Sequence, residues 1–232
     1  MIYRLGQPVY FAGLVLGFLL GCLVHVAAQR WTATRFGGPA MRWMLPSQQG
    51  LGRYVDPFGA VAALLGGVGW PTPVEAGSYQ RAQRTKAILI MLTGPLANLL
   101  LSAAGLALLA RTDSGGALGG SPSMGDIFRG HLGLSSDGPT LLAAIAVINM
   151  FMAVLSLIPL PPLEGGRIMF LLAPRTLGWQ KAEYYLVERN IGIGILLLGL
   201  ILSLGANPAP IAYIVITIAD PLLTALFGAF GG

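Results

Sequence analysis

The chain has 232 residues, of which 55% are hydrophobic and only 10% are Asp, Glu, Lys or Arg. An average soluble domain carries roughly 25% charged residues, so 23 charged side chains cannot clothe a soluble globule of this size. The same arithmetic excludes a disordered chain, which would be poor in apolar residues and rich in charge. What remains is an all-α polytopic membrane protein.

A spanning helix needs about 20 predominantly apolar residues, and five segments approach that length: 8–29, 87–110, 140–160, the shorter 190–205, and 209–228. The first does not read as a cleaved signal peptide, because its apolar run is too long and no small-residue cleavage site follows it. Its single cysteine, Cys22, reads as a small core residue, and one cysteine permits no intrachain disulfide. The loop 30–86 follows. Its stretch from Tyr54 to Glu75 is apolar, Gly-rich and broken by proline, which suits a re-entrant or interfacial element. Residues 111–139 are rich in Gly and Ser and read as a flexible external loop. The loop 161–189 connects the third and fourth spans. The whole chain, 1–232, reads as one integral membrane domain.

The basic residues are unevenly placed. Loop 30–86 carries Arg30, Arg35, Arg42, Arg53, Arg81, Arg84 and Lys86, and loop 161–189 carries Arg167, Arg175, Lys181 and Arg189. Against these stand Arg4 before the first span and Arg111 and Arg129 between the second and third. The positive-inside rule puts the two basic loops in the cytoplasm and the N-terminus outside. A net charge of +5 thus marks topology in a lipid bilayer, and no nucleic-acid partner is expected.

Three groups of residues can carry chemistry. His25 lies near the end of the first span, where ionisable groups are rare, and Gln29 shares its helix face one turn on. Gly94-Pro95-Leu96-Ala97-Asn98 interrupts the second span with a helix breaker and a buried amide. After the third span, Pro159, Pro161 and Pro162 end the helix, and Glu164 follows with Gly165 and Gly166. That carboxylate either reaches back to the membrane face or pairs with Arg167 as a loop acid. Asp220, before Pro221 in the last span, reads as a kink or cap. Asp56, Asp220 and His131 have no readable relation to His25.

Four pieces in order resemble the site-2 protease family of intramembrane zinc metalloproteases: His25-x-x-x-Gln29, RYVDPFG at 53–59 with GWPTPVE at 69–75, GPLAN at 94–98, and IPLPPLEGGR at 158–167. The resemblance covers roughly residues 8–175. It implies a three-helix core whose first helix enters from outside, and a small β element in the loop after that helix. It also implies a bacterial cell membrane, a zinc cofactor, and a membrane protein or peptide segment as substrate or partner. By the same resemblance His25, Gln29 and Glu164 fall on the metal-ligand positions, and Asn98, Pro159 and Pro161 on the substrate side.

The family's H-E-x-x-H reads His25-Val26-Ala27-Ala28-Gln29 here. Val26 takes the place of the general base and Gln29 that of the second histidine. Glu164 replaces an aspartate, Ser156 an asparagine, and Tyr54 a frequent histidine. Catalytic zinc needs three good protein donors and an open position for water, and a general base alone is typically worth about 10²–10⁴ in rate. Valine cannot move a proton. The expectation is therefore a catalytically inactive homologue that binds or regulates a membrane partner, with no intact catalytic residue. Two alternatives stand beside it: an active intramembrane metalloprotease with a rearranged metal site, and a carrier or structural subunit of a membrane complex.

Overall fold

A computed structural model describes residues 1, 5–37, 50–73, 81–112, 136–202 and 210–230. Among these residues eight α-helices follow one another: α1 Pro8–Thr32, α2 Pro57–Gly66, α3 Arg84–Thr112, α4 Asp137–Ser156, α5 Glu164–Leu172, α6 Leu177–Glu183, α7 Ile191–Leu202 and α8 Pro210–Phe230. Pro8 sits in the first turn of α1, where a missing N–H costs nothing. One π-helical turn, Ala33–Gly37, prolongs α1.

Among the described residues three helices are long and apolar enough to cross a membrane: Pro8–Phe36, Arg84–Arg111 and Asp137–Ser156. They form the core. Gly13, Gly17 and Gly21 recur every fourth residue on α1, and α4 lies against them. A Cβ at Gly13 would land 2.7 Å from the Ala144 methyl, and one at Gly17 2.6 Å from Ile148 Cγ2. Small residues at this spacing let two backbones approach closely where lipid supplies no hydrophobic drive. The contacts advance together along both chains, so α1 and α4 run parallel. α3 runs antiparallel to both, since Gln29 meets Met91 while the earlier His25 meets the later Asn98. α4 is the central helix, with nearly every residue from Ala143 to Ser156 buried.

The structure amends the expected boundaries. The third span stops at Ser156 rather than 160, because the chain tightens at Leu157 and Ile158 and Pro159 cannot continue the ladder. The fourth and fifth expected spans correspond to α7 and α8, but among the described residues neither reaches the length and apolarity of a span; the apolar stretch described in α8 is Tyr213–Leu222. Loop 161–189 is not plain loop: it holds α5, α6 and a π-helical turn, Tyr184–Glu188.

The segment after α1 is a helix with a short return. Asp56 accepts from the Gly59 N–H at 2.8 Å and caps α2, with Pro57 at its first position. Gly67, at φ 82°, closes the helix in the left-handed conformation. The chain then comes back so that Val55 and Pro71 form an antiparallel bridge. The expected β element is thus a single bridge among the described residues. Most of the expected external loop 111–139, His131 included, lies outside the described residues, as do 38–49 and 74–80 of loop 30–86.

Candidate functional site

His25, Gln29, Asn98 and Glu164 meet in the interior where α1, α3 and α5 converge. All four are buried, and Glu164 is only 2% exposed. His25 Nε2 lies 3.0 Å from Glu164 Oε1. On the other side of the ring, Asn98 Nδ2 lies 3.2 Å from Nδ1. Which ring nitrogen donates follows from the tautomer of His25. Gln29 Nε2 donates to Glu164 Oε1 and to the Met91 carbonyl, both at 3.3 Å. It also lies 3.1 Å from His25 Nε2. Glu164 therefore reaches back into the bundle, as one of the two readings of that residue has it. The pairing with Arg167 does not form: that guanidinium donates to the Pro162 carbonyl at 3.3 Å.

Each breaker in the sequence has a local reason here. Pro95 has no N–H, so the carbonyl four residues earlier, Met91, loses its helical donor. Gln29 supplies the replacement. Gly94 faces the His25 ring so closely that a Cβ would overlap the imidazole. A Cβ on Gly165 would strike the Leu157 carbonyl, and one on Gly166 the backbone of Leu160 and Pro161. The two glycines thus let the first turn of α5 tuck beneath the proline loop and carry Glu164 inward. Burial would raise the Glu164 carboxyl, but the neighbouring His25 ring and hydrogen bonds from His25, its own backbone N–H and Gln29 outweigh it. The net effect holds the group below the ordinary glutamate value.

The other expected residues sit elsewhere. Val26 is fully buried in the helix, one residue past His25. Asp56 is committed to the α2 cap, and burial raises its carboxyl despite the donors around it. Pro161 packs against α5 and against Gly192 of α7. Pro159 lines a cavity of about 720 Å³ with Leu92, Pro95 and Leu99 of α3, Val154 of α4 and Ile218 of α8. Its described lining residues are all apolar. Sequence reasoning missed Asn149, whose amide donates to the carbonyls of Gly17 at 3.1 Å and Ile145 at 2.8 Å. An amide in mid-span was the signal, as the every-fourth glycines were for the face it meets.

These donors are a poor set for catalytic zinc. Imidazole and carboxylate are strong ligands, while Gln29 offers only the neutral oxygen Oε1, which has no hydrogen-bond partner. Among the described residues no group of three His, Cys, Asp or Glu side chains could hold a metal ion.

The fold and site define a membrane protein with a buried His–Glu–amide cluster where three helices meet. Comparison with known families places the chain: the pattern of peptidase family M50 matches residues 15–199. The chain belongs to that family, the site-2 protease family, as a divergent member with a degenerate H-E-x-x-H motif. A relative from Bacillus subtilis (strain 168), named "Putative zinc metalloprotease YwhC", is 26% identical over 163 residues, covering 69% of each chain. The family and that name suggest zinc. No solved structure matches.

Proposed function

We propose that this protein is a non-catalytic member of its family that binds a membrane-embedded segment of a partner without cutting it. The observation that carries this reading is the pair Val26 and Gln29: a buried valine at the general-base position, and a glutamine whose amide nitrogen is already committed to Glu164 and Met91. Three strong donors and a mobile water are the minimum for metal-assisted hydrolysis, and the described residues offer two donors in mutual contact. The apolar cavity beside the cluster supports binding. It lies between α3, α4 and α8, and an apolar stretch of a partner helix suits its lining. On this reading the chain is one membrane unit, with its basic loops in the cytoplasm and His25, Gln29 and Glu164 serving as a polar clamp in the ligand positions.

The test is cleavage of transmembrane model peptides by the purified protein in detergent, with and without added zinc. No product above a His25→Ala control is expected. Zinc-dependent product that disappears in His25→Ala would overturn the reading.

One observation favours an active site rearranged around zinc: Nε2 of His25, Oε1 of Glu164 and Nε2 of Gln29 all lie within 3.3 Å of one another, and a flip of the Gln29 amide would bring its unpartnered oxygen among them. That reading requires Glu164→Gln to abolish cleavage.

A further inference from the structure

One end of the three-helix core differs from the rest of the surface. The end of α1, the start of α3, the end of α4 and the helices α5 and α6 all gather there. A small separate core of Ala33, Ala87, Ile90, Met91 and Leu171 ties the end of α1, the start of α3 and α5 together, and Arg81 forms an ion pair with Glu183. Among the described residues this end exposes six cations, Arg35, Arg84, Lys86, Arg175, Lys181 and Arg189, and one acid, Glu188.

The arm formed by α6 and the π-helical turn after it buries no residue. Isolated helices this short do not hold themselves in water. Yet the arm carries Leu177 at 71% exposure, together with Trp179, Tyr184 and Tyr185. Its aromatic rings form edge contacts, Trp179 on Phe170 at 5.9 Å and Tyr184 on Tyr185 at 5.5 Å, and Arg189 lies over Tyr184 at 5.4 Å. Trp31 and Phe36 form a like pair where the first span ends. Between the arm and α5 lies a cavity of about 210 Å³ whose lining includes Arg81, Arg175, Trp179 and Glu183.

Apolar and aromatic side chains exposed among the described residues, interleaved with cations at the level where three spans end, match one environment. That environment is the headgroup region of a bilayer containing anionic lipid. We propose that residues 172–189 form an interfacial arm that binds anionic phospholipid headgroups. Arg175 and Lys181 meet the phosphates, and Leu177 and Trp179 lie among the upper acyl carbons. A soluble protein partner would match the apolar surface but has no reason to sit beside the ring of cations at the span ends. The inference does not depend on whether the chain is a protease.

The test uses the full-length protein, stripped of lipid in neutral detergent and titrated with phosphatidylglycerol or phosphatidylcholine, with retained lipid counted by native mass spectrometry. Wild type should retain phosphatidylglycerol preferentially. Arg175→Gln with Lys181→Gln should lower that affinity by about fivefold per charge removed, while Arg111→Gln, at the other end of α3, should not. Equal retention of the two lipids, or equal loss in Arg111→Gln, would overturn the proposal. Full competition by free glycerol phosphate at comparable concentration would also overturn it, by making the arm a soluble-anion site. In vesicles, brominated phosphatidylglycerol should quench the emission that Trp179→Phe removes; no quenching would mean that something other than lipid covers the arm.

Discussion

Gly94 has no side chain because the ring of His25 occupies its place. Gly94→Ala pushes a methyl into an imidazole held on both flanks by Asn98 and Glu164, so the ring has nowhere to turn. Overpacking of this kind costs about 1–3 kcal/mol. A lowered melting temperature in detergent is the expected result, and an unchanged one would mean that the ring moves freely. Glu164 adds a pH dependence. Its folded-state pKa is depressed, so its contribution to stability is present above the ordinary glutamate value and is lost as pH falls through the folded one. Melting temperature should therefore drop on acidification, and Glu164→Gln should flatten part of that drop. At this scale the sequence was informative in an uneven way. His25, Gln29, Asn98 and Glu164 could each be singled out as polar groups in apolar surroundings. Their meeting could not be derived from the residues alone, because nothing local relates α1 to a carboxylate 139 residues later.

Proline makes the second element more than a rod. With Pro95 in α3, the Met91 carbonyl depends on Gln29, and Gln29→Leu leaves it buried and unpaired at a cost of about 1–3 kcal/mol. Pro95→Ala restores the helical donor. The cost of Gln29→Leu should then shrink in the Pro95→Ala background, giving a measurable coupling in a double-mutant cycle of thermal or denaturant unfolding. Additive effects would show that Gln29 does not serve that carbonyl. The three core spans were legible from their apolar length, and α1, α3 and α4 start and end within about four residues of the expected bounds. The helices of 161–189 were not. α5 and α6 are nine and seven residues long, too short to display a period. The Gly165-Gly166 pair that opens α5 reads as a turn, whereas its work is to admit the close approach of the proline loop.

For the whole molecule, the decisive number is zinc per chain. Purified protein passed over a mild chelator should retain close to none, because two strong donors and an amide hold zinc weakly. About one zinc per chain, lost in His25→Ala, would restore the proteolytic reading. Composition alone defined the bilayer as solvent, and the ordered motifs defined the family. The arrangement of α7 and α8 around the core was beyond reach, since a short apolar segment does not encode which groove it lies against.

The partnership of His25 with Glu164 also bears on how the protein is made. Synthesis runs from the N-terminus, so α1 enters the membrane long before the ribosome reaches residue 164. Until then the end of α1 presents an imidazole and an amide whose carboxylate partner does not yet exist. Asn98 and Met91 arrive with α3 and meet part of that need, but the last member, the carboxylate, comes after three spans are in place. A nascent chain halted at residue 160 should therefore remain bound to the insertion machinery or be degraded faster than one halted at 175. Pulse-chase of the two truncated chains reads that difference. Completion of the polar clamp would then act as a checkpoint, releasing the chain into the bilayer only when the segment after the third span has been translated and folded back.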